Sequence, residues 1–346
     1  MRARRRPAPV AVLLLLLGVV AAACSGGGTA DAPTTTAPPE PTTTEASTTT
    51  TTLAPVYPLT GRPVTDPEVA ARPVVAVKID NIAAARPQAG VAAADVVYEE
   101  FTEGVTRFVV VYHSTDAEVV GPVRSVRPAD PVIVTPLGGV LGFSGGSPGA
   151  VALAATAPVA LVTESDTAVM YRRPGRAAPH NLYTSTSALY SRVPAGAGSP
   201  GKLADFLRDG QTFTGPGATP VSTLHLVPAP YVTADYTWEP GAGVWLRTTD
   251  GFAHRIEEGR IAPTTVILQF APYVFFIDDY DVRYPEVVGT GDLWVFAAGQ
   301  LVKGTWSKAS AESMTTFSDS EGKPIVLPPG QTWIHLIEPG STVIPG

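Results

Sequence analysis

Between Asp95 and Arg127 the chain carries two apolar, β-prone runs loaded with charge, and this combination limits how the rest can fold. Val96 to Phe101 and Thr106 to Tyr112 are rich in Val, Phe and Tyr. The Thr-Glu-Gly-Val between them supplies a glycine where the backbone must reverse, so the pair predicts a β-hairpin. Asp95, Glu99, Glu100, Glu103 and Arg107 lie on or beside these strands, and Arg124 and Arg127 follow on a Gly-Pro loop. Alternation puts Val97, Glu99 and Phe101 on one face and Val96, Tyr98 and Glu100 on the other, with one glutamate expected in solvent. Arg107 shares a side with Val109, Val111 and His113, within cross-strand reach of a glutamate.

The segments flanking the hairpin end in polar groups. Val74 to Ile79 reads as a buried strand with Asp80-Asn81 at its carboxyl end, and Arg86-Pro87-Gln88-Ala89-Gly90 then makes a turn. Val140 to Phe143 is a second buried strand. It runs into Ser144-Gly145-Gly146-Ser147-Pro148 and an alanine-rich helix, Gly149 to Ala157, with Ser147 as N-cap and Pro148 in the first position. Free amides at such a helix start suit a phosphate or carboxylate. Arg124, Arg127, Arg172, Arg173 and Arg176 give this part of an acidic protein a local excess of guanidinium groups, which make bidentate anion contacts. His180 follows Pro179 on an extended approach, and histidine is the side chain whose two ring nitrogens suit it to proton transfer.

Beyond Thr223 the pattern changes to strands separated by turns, including Tyr236 to Arg247, Thr264 to Phe270, Leu293 to Trp306, Lys323 to Leu327 and Thr332 to Ile337. The fold class expected is α+β: a mixed α/β domain over residues 57–217, then a mostly antiparallel β domain over residues 223–345. Trp306 and Trp333 have side chains that stack on sugars, although strand tryptophans more often fill a core. Asp278, Asp279 and Asp281 form an acidic loop without the glycine and terminal glutamate of an EF-hand.

The first 24 residues read as a targeting segment: four arginines, an apolar run from Val10 to Val20 and Ala21-Ala22-Ala23-Cys24. The run is short for a membrane span. Small residues ahead of the only cysteine match a bacterial lipoprotein signal, with Ala21 where Leu is commoner, and Cys24 is the expected lipidated residue. Residues 25–55 are Thr, Pro, Ala and Gly with almost nothing apolar to bury, an extended linker. Removing the leader leaves 20 Lys+Arg against 31 Asp+Glu, a net charge of about −11, which argues against nucleic acid as a partner. A lone cysteine rules out an intramolecular disulfide and a thiolate metal cluster.

The runs Ala85 to Gly90, Ala94 to Glu99, Glu103-Gly104 with Thr106-Arg107-Phe108, Gly121-Pro122-Val123-Arg124-Ser125 with Arg127, Gly145-Gly146-Ser147 and Ala178 to Tyr183 resemble the YerB-like bacterial lipoproteins. Thr305 to Lys308 and Pro329 to Trp333 match the C-terminal part of the same family, so the likeness covers nearly everything beyond the linker. It implies a two-part extracytoplasmic lipoprotein, held at the outer face of the cell membrane by Cys24, and supplies no catalytic residues. In the family a second glycine precedes the Thr-Arg-Phe of the hairpin. Its absence here shortens the turn, which bears on strand register.

Two functions are expected in contention. One is binding of an anionic envelope ligand, a wall peptide or glycan, by Asn81, Arg107, Arg124, Arg127, Gly145, Gly146, Ser147, Asn181 and Tyr183, in a groove beside His180. The other is an envelope hydrolase acting on glycan or phosphodiester, with Glu99 or Glu103 as general acid or base and Asp95 or His180 as partner. For a glycosidase the two carboxylates should share a cleft about 5 to 9.5 Å across. No cofactor or metal is expected: the five histidines are scattered, and neither a Walker motif nor a dinucleotide fingerprint occurs.

Overall fold

Strand β1, Val75–Asp80, is buried along its whole length, which requires cover on both faces of its sheet. The computed structural model, which describes residues 54–229, 232–276 and 282–346, supplies that cover. β1 pairs antiparallel with β3, Val105–Tyr112, and β3 pairs antiparallel with β2, Val96–Thr102. On the other side of β1, the short strands β4, Val140–Gly142, and β5, Ala160–Val162, continue the sheet in parallel. The hairpin closes from Thr102 to Val105 through Glu103 at φ 52° and Gly104 at φ 84°. Two positive φ values in succession give the turn whose twist matches a β-ribbon.

The second half of the chain joins this same sheet. Thr332–Ile337 lies parallel to β2, with Val96 opposite Thr332 and Glu100 opposite Leu336, and its other edge pairs in parallel with Thr265–Phe270. Gly289–Ala297, Gln300–Lys308 and Thr316–Asp319 extend the sheet antiparallel from there. The expected α/β body followed by a separate β body is therefore corrected to a largely β structure with a mixed sheet running through both segments. Among the described residues no α-helix exceeds seven residues, and each of the four is followed within four residues by a proline.

Short helices at Ala129–Val134 and Pro148–Ala154 cover one face of the sheet, packing Ile133, Val134 and Ala150 with Val96, Tyr98, Val109 and Val111. The opposite face buries Val97, Phe108, Val110 and Tyr112. A second, antiparallel sheet of Thr223–Ala229, Val232–Glu239, Val244–Thr249, Phe252–Ala253 and Thr342–Pro345 closes over part of that opposite side, its Leu226, Tyr236 and Trp245 packing with Val266, Leu268 and Phe296. Trp306 and Trp333 are buried and hydrogen-bonded, Trp306 Nε1 to the Phe270 carbonyl at 2.8 Å and Trp333 Nε1 to Glu99 at 2.9 Å, so neither is free to stack on a sugar. The leader with Cys24, nearly all of the linker, and Asp278, Asp279 and Asp281 lie outside the described residues. Among the described residues no helix is long and apolar enough to cross a membrane.

Candidate functional site

Register assembles a row of charge on the helix-covered face. Asp80 on β1 stands opposite Arg107 on β3, which stands opposite Glu100 on β2. All three are buried, as is Lys78, two residues before Asp80 and on the same face. Ions in such a place persist only when paired. Lys78 Nζ donates to Glu100 Oε1 and to Asp130 Oδ1, the latter at 2.7 Å from the helix above. Burial lifts the Glu100 carboxyl to about 7, against the pull of Lys78 and with the push of Asp130.

Asp80 is the hub of the outer end. Its Oδ2 lies 2.7 Å from His180 Nδ1 and 3.1 Å from Arg124 Nε, while Oδ1 accepts from the Ile82 amide at 3.3 Å. The Arg124 amide donates to the Lys78 carbonyl, which ties the Gly-Pro loop to β1 and fixes this geometry. Glu103, on the hairpin turn, faces Arg127 Nη2 at 2.6 Å and Arg107 Nη2 at 3.5 Å. The expected cross-strand pairing of Arg107 thus has Glu100 as its register neighbour, while its ion pair goes to Glu103. Arg107 is left with two buried guanidinium nitrogens, Nε and Nη1, that meet no partner. Burial, with Arg127 nearby, lowers its pKa to about 10, so it stays cationic at neutral pH.

Four of the expected residues, Arg107, Arg124, Arg127 and Glu103, come together here, with His180 joined through Asp80. The others do not. Glu99 points to the opposite face, and neither it nor Glu100 reaches solvent. Its Oε1 accepts from Thr106 Oγ1 at 2.7 Å and Arg247 Nη2 at 2.9 Å, and its Oε2 from Arg247 Nη1 and Trp333 Nε1. Burial works to raise its pKa, but the charge and hydrogen bonds of Arg247 overcome it and hold the carboxyl well below the usual range. Asp95 binds the His113 and Ser114 amides and Ser114 Oγ, and burial nonetheless raises its pKa. Asn81 Nδ2 donates to Thr106 Oγ1 at 2.7 Å, a link toward Glu99 and not a free donor.

The glycine turn is also occupied from within. The Gly145 amide donates to Glu164 Oε2 at 3.1 Å, the Gly145 carbonyl accepts from the Val126 amide, and Ser147 Oγ caps Ala150 N at 3.3 Å. Gly146 packs close to Val126 and Val151. Asn181 accepts from Arg172 Nη1 at 2.7 Å and donates to the Arg176 carbonyl. Tyr183 is buried, its hydroxyl without a partner and its pKa raised by that burial, with the Arg173 guanidinium 5.3 Å from its ring.

Sequence reasoning passed over Asp80 as a site residue in favour of its neighbour Asn81, although its place at the end of an apolar strand was the signal. It also missed Arg247. In Val-Trp-Leu-Arg-Thr-Thr, period two puts Arg247 on the inward side with Trp245 and Thr249, which was the available clue.

Both the sequence and the mixed-sheet fold have counterparts among known proteins. Residues 59–198 match the family described as "Protein of unknown function (DUF3048) N-terminal domain", and residues 225–334 match its C-terminal domain. The chain belongs to this family, the one to which the YerB-like proteins belong. "Putative lipoprotein YerB" of Bacillus subtilis (strain 168) is 27% identical over 291 residues, 81% of this chain and 85% of the relative. The crystal structure of YerB protein from Bacillus subtilis shares the fold with a TM-score of 0.71 at 24% identity, covering 85% of this chain and 100% of that one.

Proposed function

We propose that the protein is a lipoprotein held through Cys24 on the extracytoplasmic face of the cell membrane, and that it binds an anionic envelope ligand at the cluster of Arg107, Arg124 and Arg127. The observation that carries this reading is Arg107, a buried cation with two unpartnered nitrogens beside two further guanidinium groups. A buried donor without an acceptor is costly, and an oxyanion removes that cost. A wall peptide or glycan bearing carboxylate or phosphate groups has the required chemistry. Replacing Arg124 and Arg127 together by alanine is expected to abolish binding of such wall fragments in a calorimetric titration, and unchanged affinity refutes the reading.

The Asp80–His180 contact favours a second reading, hydrolysis of an envelope phosphodiester. A buried carboxylate on Nδ1 orients the ring and leaves Nε2, which bonds to no described residue, to take a proton from water. Glu99 has no part in it, since all its acceptor positions face inward donors. Phosphodiester turnover that survives His180→Asn rules this reading out.

A further inference from the structure

Building on the anion-binding reading, we propose that the Glu103 carboxylate occupies the position of the ligand's oxyanion, as an internal counter-ion that phosphate or carboxylate displaces. One Glu103 oxygen bridges Arg127 Nη2 at 2.6 Å and Arg107 Nη2 at 3.5 Å, the placement an incoming oxyanion would need. Its side chain is 43% exposed whereas those of Arg107 and Arg127 are each 7% exposed, so Glu103 lies on the solvent side of the two cations it neutralises.

Two further observations point the same way. Glu103 sits at φ 52°, where a side chain is strained and glycine is not, so the turn geometry by itself does not call for glutamate. And one carboxylate leaves the cluster incomplete: Arg107 Nε and Nη1 remain buried and unpaired with Glu103 in place. A tetrahedral oxyanion carries more acceptor positions than the bridging oxygen now supplies. Arg124 and His180, both partly exposed and held by Asp80, form the adjoining rim.

The test titrates the full-length chain with inorganic phosphate and, separately, acetate at constant ionic strength. Glu103→Gln keeps the side-chain shape without its charge, and Glu103→Gly suits the backbone at this φ. Both are expected to bind phosphate about five- to tenfold more tightly than the parent. A gain confined to phosphate identifies phosphate esters as the ligand class, and a gain for acetate as well extends it to carboxylates. If the parent binds and neither variant improves, Glu103 is no placeholder and the arginine site stands without it. If none of the three binds either anion, the anion-binding reading falls and takes this inference with it.

Discussion

Glu99 and Glu103 show how far the fate of a carboxylate depends on a neighbour remote in sequence. Glu99 faces Arg247, 148 residues away, and with it forms an ion pair from which water is excluded on every side. His335, kept neutral by burial with its pKa at about 4, accepts from the Tyr236 hydroxyl through Nε2 and turns Nδ1 toward Glu99 at 3.3 Å. Arg247 is therefore the charge that compensates Glu99. Arg247→Met strands a buried carboxylate and is expected to lower unfolding stability by about 3 to 5 kcal/mol. Adding Glu99→Gln removes the stranded charge and should restore at least half of that loss in denaturant titrations. A double variant no better than the single shows that packing of Arg247 on Phe108 and Trp333, not charge, is what counts.

The elements divide by the range of the interaction that forms them. The hairpin from Val96 to Tyr112, the Ser147 cap with Pro148 after it, and the antiparallel strands of the second half were legible in the sequence, because turn residues and period-two alternation are local signals. The parallel pairing of Thr332–Ile337 with β2 was not, since apolar alternation announces a strand without naming its neighbour. The site was legible in the same measure. Arg124, Arg127 and His180 stood out as chemistry on loops, but the carboxylate joining Arg124 to His180, Asp80, was visible only as a strand end. Gly145 and Ser147 carry the sequence pattern of an anion cradle, and Glu164 and Ala150 show that short helix starts are often satisfied from within.

Across the molecule, buried histidines set the response to acid. His113 and His335 have pKa values pulled down to about 4 by burial, and burial holds His254 well below its ordinary 6.5. Through these three rings the unfolded chain binds more protons than the folded one between about pH 6.5 and 4, which makes stability fall as pH falls. Glu99, depressed when folded, adds to the loss below its ordinary 4.5. Two carboxyls raised by burial oppose it, Glu100 between about pH 7 and its ordinary 4.5 and Asp95 in the acid range above 3.8. The denaturation midpoint in urea is expected to be lower at pH 5 than at pH 7.5. A midpoint that is flat or higher at pH 5 shows that the raised carboxyls of Glu100 and Asp95 match or outweigh the three rings.

Thr332–Ile337 occupies the middle of the long sheet although it comes near the end of the chain. A polypeptide broken off before Thr332 leaves β2 and Thr265–Phe270 each with a bare flank of amides and carbonyls, open to proteases and to pairing with other copies. The two family segments thus share one hydrogen-bonded sheet, and dividing the chain between them opens that sheet at β2.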